Sequence, residues 1–278
     1  MQTCDITLKD FAIIASIDLD RADDVFDVAS KIAPKIDGIK IGVPTLLERG
    51  VKFLQKIRAL LEDKPILVDL KIADIGFRSS TSWNGTNAKI MSKLEGSGAT
   101  HVTVHGFPGP ASVAEAVEIG NHLGLGILLL PMMSHVGAEA FFSGHIKYSV
   151  FDESCRKSGV NLAPSARSTQ MDVTDGILLM GEAAGVTGYI GPATRPADLK
   201  RYRSMTEKPI WCPGFGRQDR QGRSLAVQLE DWAGIVGPRS AAIVGSLIYD
   251  ARNPVEAVEE IIQIRDRVIN GLCPGVCI

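Results

Sequence analysis

Eight apolar, strand-like runs alternate with amphipathic stretches along the whole chain, and this alternation narrows the fold more than any other feature. The runs are 12–17, 38–41, 66–70, 101–105, 126–130, 188–190, 209–212 and 241–244. The third, around Pro65-Ile66-Leu67-Val68, is short and bounded by charge and Gly, the pattern of a buried parallel strand. Between the runs, Leu47, Val51, Leu54, Ile57 and Leu61 recur at helical spacing. So do Val255, Val258, Ile261, Ile262 and Ile269, behind the helix start Asn253-Pro254. Eight such units in 278 residues predict an α/β fold, a (β/α)8 TIM barrel. An open doubly wound sheet is the alternative, though it normally carries fewer strands or a second domain. The chain reads as one barrel domain over residues 1–278, with loop insertions near 77–84 and 143–170. Both insertions would sit at the C-terminal mouth, where barrel loops carry function.

Charge collects at that same mouth. Val68-Asp69-Leu70-Lys71-Ile72-Ala73-Asp74-Ile75-Gly76 places two carboxylates around one ammonium at the end of the third run. Strand alternation points Asp69 and Lys71 to the same side, with Cα atoms roughly 6.5 Å apart. Charges at the end of a buried strand are costly unless paired. Asp18 ends the first run, Lys40 lies in the second, His105 ends the fourth, and Ser134 and His135 follow the fifth. Alone, Asp-x-Lys is an ion pair, His105 a packed histidine, and Ser134 a helix N-cap. Convergence of several strand ends on one mouth makes the set a candidate active site. His101 and His105 share a strand face, but two ligands do not make a metal site. Glycines gather after the seventh run, in Pro213-Gly214-Phe215-Gly216-Arg217-Gln218, and around the eighth, in Gly237-Pro238 and Gly245-Ser246. Loops there commonly present backbone N–H groups to a phosphate.

Composition limits the partners. A net charge of −2 offers no electrostatic argument for nucleic acid or an anionic membrane. The longest apolar run, 123–133, is too short to span a bilayer. The first residues lack the basic and apolar regions of a signal peptide, so a cytoplasmic location is expected. Five cysteines scattered at 4, 155, 212, 273 and 277 read as free thiols in a reducing compartment.

Together these residues resemble the orotidine 5′-monophosphate decarboxylase family in its archaeal-like short form, from Asp18 to Pro254. Asp69-Leu70-Lys71-Ile72-Ala73-Asp74-Ile75 is similar to the family's Asp-x-Lys-x-x-Asp signature. His105-Gly106-Phe107-Pro108-Gly109, Met133-Ser134-His135-Val136-Gly137, Gly191-Pro192-Ala193-Thr194-Arg195-Pro196 and the 213–218 segment follow in the family's order. The resemblance implies a homodimer with shared active sites. It implies decarboxylation of orotidine 5′-phosphate to uridine 5′-phosphate, in de novo pyrimidine biosynthesis, with no metal and no cofactor. It makes Lys71 the acid that protonates C6, with Asp69 beside the substrate carboxylate. Lys40 and Asp18 would bind ribose and continue the charge chain. Asp74, Ile75 and Thr86 would reach the partner's site. Ser134 would bind the pyrimidine. Pro213, Gly214, Gly216, Gln218, Gly245 and Ser246 would line the phosphate site.

Three positions depart from the family pattern. Ser246 stands where the family carries a phosphate-gripping Arg, and Arg217, Arg220, Arg223 and Arg239 are candidates to replace it. The 77–84 insertion shifts the approach to Thr86, and Gly76 stands where close relatives usually have Pro. Other readings are a sugar-phosphate lyase of the same superfamily that uses Mg²⁺, and a non-catalytic ligand-binding barrel, besides an enzyme whose substrate is altered because Ser246 weakens the phosphate site. Lys40 speaks against the first, whose members carry an acidic residue there. The intact Lys40, Asp69, Lys71 and Asp74 set speaks against the second.

Overall fold

The computed structural model describes residues 9–79, 82–133, 135, 137–163, 169–219 and 221–272. Its strands are β1 (Ala12–Ser16), β2 (Gly38–Gly42), β3 (Ile66–Ile72), β4 (His101–His105), β5 (Gly126–Leu130), β6 (His145–Lys147), β7 (Gln170–Asp172), β8 (Gly188–Ile190), β9 (Ile210–Pro213) and β10 (Ala241–Val244). All but β6 and β7 close into a parallel barrel, in the order β1-β2-β3-β4-β5-β8-β9-β10. Closure comes from β1 against β10, with Ala12 opposite Ala241 and Ala15 opposite Val244. An open sheet is thereby excluded. Every run read as a strand in the sequence is a barrel strand, with ends moved by one or two residues.

Side-chain alternation builds two apolar layers. Ile14, Leu67, Leu128, Ile190, Trp211 and Ile243 form one buried cluster, which fills the barrel interior. Their alternates, such as Ile13, Ile39, Val68 and Val102, join the larger cluster under the surrounding helices. The last helix, Pro254–Leu272, buries Val258, Ile261 and Ile269 on one stripe, as the spacing predicts. Arg265 joins that stripe and is almost completely buried. Its guanidinium is paired with Asp37 Oδ2 at 2.9 Å and also donates to the Phe11 carbonyl. A buried charge needs such partners.

One sequence expectation is corrected here, and two are given detail. The stripe expected from Leu47 to Leu61 is cut at Gly50, whose φ is 70°. It becomes helices Val43–Arg49 and Phe53–Leu61, and Leu47 is 82 % exposed. The 77–84 insertion folds back on itself, with Arg78 bridged antiparallel to Trp83. Trp83 Nε1 donates to Glu118 Oε2, which docks the insertion on helix Pro110–Leu123. The 143–170 segment holds helix Tyr148–Lys157, and β6 pairs antiparallel with β7 across it.

Burial also creates a pH liability. His101 lies inside the barrel against Trp211, and burial pushes its imidazole down to about 4. An unfolded histidine titrates near 6.5, so between those values the unfolded chain binds the proton that the folded chain refuses. Stability is then complete above about pH 6.5 and falls as the pH drops toward 4, by an amount on the order of 3 kcal/mol. Thermal melts from pH 7 to pH 4 should show this decline, and His101→Gln should flatten it. An equally steep decline in the variant would refute the assignment.

Candidate active site

The C-terminal ends of the barrel strands open on a cavity of about 370 Å³. Its floor is apolar, with Leu67, Leu130, Ile190 and Ile243, and its wall carries Asp18, Lys40, Asp69, Lys71 and Thr103. These polar groups leave neighbouring strands: Lys40 from β2, Asp69 and Lys71 from β3, and Thr103 from β4, with Asp18 just past β1.

Their charges alternate in a continuous chain. Lys40 Nζ lies 3.2 Å from Asp18 Oδ1 and 3.1 Å from Asp69 Oδ2. Lys71 Nζ lies 2.8 Å from the same Asp69 oxygen. Ser16 donates its hydroxyl to Asp18 Oδ2 at 2.6 Å. The side chains of Lys40 and Asp69 are only 10 % and 12 % exposed, whereas that of Lys71 is 41 % exposed. Each buried ion is therefore compensated by an opposite charge, and the tip of Lys71 stays open to the cavity. Burial alone would raise the Asp69 carboxyl. The charges of Lys40 and Lys71, with hydrogen bonds from Lys71 and Thr103, outweigh it and hold the carboxyl below its ordinary range.

The expected Asp69–Lys71 pairing is present, but the strand reaches it by an irregular path. Register slips between Val68 and Ile72, and Lys71 sits at φ 46°. A non-glycine residue in that region carries roughly 1–2 kcal/mol of strain. The Lys71 N–H donates to Thr103 Oγ1 at 2.8 Å, and that hydroxyl donates in turn to Asp69 Oδ1 at 2.8 Å. Sequence reading passed over Thr103; a lone hydroxyl two residues before His105, on the same strand face, was the available signal.

His105 has the packed role. Its Nδ1 accepts from the Phe107 N–H, and its ring centroid lies 5.6 Å from that of Phe142. Burial, and then the charge of Lys71, push its imidazole below the ordinary value.

Asp74, Ile75 and Thr86 do not join this cluster. Asp74 and Ile75 are exposed outside the cavity wall, and Thr86 opens helix Thr86–Met91. They are nonetheless fixed in place. Asn87 Oδ1 accepts from the Asp74 N–H, and Ser112 Oγ donates to the Asp74 carbonyl. Buried Glu115 accepts from the N–H groups of Phe77, Gly85 and Ala88, and so pins both stems of the insertion. Gly76 has a steric reason. A Cβ there would lie 2.0 Å from the Ala111 carbonyl oxygen, so a proline has no room.

Of the residues expected around phosphate, Pro213 and Gln218 line the cavity. Gly214 and Gly216 hold positive φ, 118° and 78°, in the turn after β9. The Gly216 N–H is already engaged by Gln228 Oε1 at 2.9 Å. Gly245 and Ser246 lie where β10 enters the short helix Ser246–Tyr249. Arg217, in the turn Gly216–Gln218, pairs with Asp250 at 2.7 Å. Arg223 is clamped by Asp219 and Asp231. Arg239 precedes β10, at the end of the barrel opposite the mouth. Ser134 and Arg220 lie outside the described residues.

Fold and site define a (β/α)8-barrel enzyme that holds a chain of alternating Asp and Lys in its mouth. The model of the orotidine 5′-phosphate decarboxylase / HUMPS family matches residues 12–261, and the chain belongs to that family. It is 30 % identical to the orotidine 5′-phosphate decarboxylase of Methanosphaera stadtmanae over 253 residues, covering 90 % of this chain and 95 % of that one. The enzyme of the same name from Methanococcoides burtonii is 26 % identical over 251 residues, covering 90 % and 94 %. Among solved structures, the fold is similar to Methanocaldococcus jannaschii orotidine 5′-monophosphate decarboxylase complexed with the inhibitor BMP. That match has TM-score 0.72 at 24 % identity and covers 92 % of this chain and 99 % of the other. No described helix is long and apolar enough to cross a membrane.

Proposed function

We propose that the protein decarboxylates orotidine 5′-phosphate to uridine 5′-phosphate, without metal or cofactor, in cytoplasmic de novo pyrimidine synthesis. The observation that carries this reading is the position of Lys40. Its ammonium sits between Asp18 and Asp69, within 3.2 Å of both, where a divalent cation shared by these carboxylates would have to be. The site thus supplies its positive charge from lysines.

In this reaction the C6–carboxylate bond breaks and its electron pair stays on C6. The ring's π system cannot absorb that pair, so a fixed cation beside C6 must stabilise it. Lys71 is that cation, and its Nζ then gives C6 the proton that completes the product. Water returns a proton to Lys71. Asp69 holds the ammonium and faces the departing carboxylate. The barrier reduction asked of the enzyme lies toward the upper end of roughly 8–23 kcal/mol, more than one side chain supplies. Binding of the remote phosphate by Pro213, Gly214, Gln218, Gly245 and Ser246, in the turn that Gly216 shapes through its positive φ, contributes the remainder by driving water from the mouth. Ser134 takes the pyrimidine, and Asp18 with Lys40 the ribose hydroxyls.

The active unit is a homodimer, with Asp74, Ile75 and Thr86 reaching into the partner's mouth. Leu47, Ile75, Phe77 and Phe107 support this assembly. All are more than half exposed, and they follow the adjacent strands β2, β3 and β4 on the side of the mouth. An apolar band of that kind is what a second copy covers.

Loss of orotidine 5′-phosphate absorbance, followed in excess EDTA, tests the reaction. Turnover should match that in EDTA-free buffer. Turnover that EDTA abolishes and Mg²⁺ restores would turn the assignment to a sugar-phosphate type of lyase. Ligand binding without turnover would turn it to a binding barrel.

A further inference from the structure

Thr103 is 2 % exposed and reaches the cavity wall from the middle of β4. Its hydroxyl is used twice. It accepts from the Lys71 backbone N–H and donates to Asp69 Oδ1, both at 2.8 Å. Lys71 is held there at φ 46°, a backbone state it would leave without support. Asp69 has its second oxygen, Oδ2, on both lysines. We infer that Thr103 is a positioning residue, whose one hydroxyl locks the peptide that aims Lys71 and the carboxylate that Lys40 and Lys71 share.

The argument is one of degrees of freedom. An ion pair sets the distance between Lys71 Nζ and Asp69, but it does not set where the pair points. The flexible stem of Lys71 lets its ammonium follow any rotation of the carboxylate. Tying Oδ1 to β4 removes that rotation. Tying the Lys71 N–H to the same Thr103 hydroxyl removes the backbone's path out of the left-handed region. Both constraints come from the neighbouring strand β4. Removing the hydroxyl leaves a part-buried N–H without its acceptor and a carboxylate oxygen without its donor, while the charges themselves remain.

This inference rests on the decarboxylase reading, and its test separates the two. Thr103→Val keeps the shape and removes the hydroxyl, whereas Thr103→Ser keeps the hydroxyl. Thr103→Val is expected to lower kcat about 100-fold, the effect of roughly 1 Å of misplacement, with KM nearly unchanged. The acid limb of its kcat profile should move to higher pH, because Asp69 loses a hydrogen bond that favours its charged form. Thr103→Ser should recover to within about threefold of wild type. If Thr103→Val does not fold, Thr103→Ser against Thr103→Ala gives the same comparison. Unchanged kcat in the hydroxyl-free variant, or a serine variant as poor as it, would overturn the inference. A crystal structure of Thr103→Val supplies a readout without substrate. Lys71 should leave positive φ, and the Lys71–Asp69 pair should turn from its wild-type direction while its ion-pair distance is kept. An unmoved Lys71 overturns the role of Thr103. A wild-type enzyme inert toward orotidine 5′-phosphate overturns the decarboxylase reading instead, and the Lys71 geometry still decides the case of Thr103.

Discussion

Lys71→Ala should lower kcat by about 10⁴-fold or more, because in the proposed reaction one group both stabilises the carbanion and delivers its proton. The folded state should change little. The Lys71 side chain is 41 % exposed, so its tip is not a packing element, and Asp69 keeps Lys40 at 3.1 Å and the Thr103 hydroxyl at 2.8 Å. Asp74→Ala should be crippled as well, for a different reason. Asp74 lies outside the cavity of its own chain, and in the proposed dimer it acts on the second copy. In a two-fold dimer each site then takes Lys71 from one chain and Asp74 from the other. Mixing the two inactive variants and letting subunits exchange makes mixed dimers with one intact site and one doubly damaged site. About half the dimers should be mixed, so activity should return to roughly a quarter of wild type under this two-fold arrangement. A mixture as inactive as its parents, despite exchange shown by mass, would place Asp74 and Lys71 in the same chain's site, and an active Asp74→Ala parent would remove Asp74 from the chemistry. Activity retained by Lys71→Ala alone would end the assignment of Lys71 as the acid.

The barrel was legible because its signal is local. Continuous apolar runs and their Gly or Pro boundaries need no knowledge of neighbours, and they located all the barrel strands. The Asp69–Lys71 pairing was legible for the same reason, since alternation decides it. What escaped depends on contacts across the chain. The slip in β3 and the positive φ of Lys71 exist because Thr103, 32 residues away, offers an acceptor. The 77–84 insertion reads as a polar loop until Glu115 and Glu118, on a helix more than thirty residues on, pin its stems and its tryptophan. The ribbon of β6 and β7 joins three-residue strands that carry no alternation long enough to read. Leu47 fits a helical stripe on paper, and Gly50 breaks the stripe before it reaches the core.

Arg217→Ala should weaken the substrate strongly, because the guanidinium expected at position 246 is absent and Arg217 is placed to replace it. Elimination among the described residues supports the choice. Arg223 is committed to Asp219 and Asp231 and only 17 % of its side chain is exposed. Arg239 lies at the far end of the barrel, where its backbone N–H is held by Asp10. Arg217 follows Gly216, whose positive φ aims the turn, and precedes Gln218, which lines the cavity. Its side chain is 67 % exposed, and its partner Asp250 sits just past the helix that begins at Ser246. That ion pair ties the guanidinium to the end of the helix that begins at Ser246. A hydrogen bond to a charged group contributes about 1.5–3 kcal/mol, so its loss should lower kcat/KM by roughly 10- to 150-fold. Part of that loss should fall on kcat, since phosphate binding also drives closure over the reacting end. Arg217→Lys should recover little, because an ammonium cannot bind phosphate through two parallel bonds. The decisive variant is the double one, Arg217→Ala with Ser246→Arg. If the two positions serve one phosphate, moving the guanidinium back to 246 should restore most of the lost kcat/KM. An unchanged KM in Arg217→Ala would show that backbone N–H groups and Gln218 hold the phosphate without it. A double variant no better than the single one would show that Arg217 acts somewhere else in the mouth.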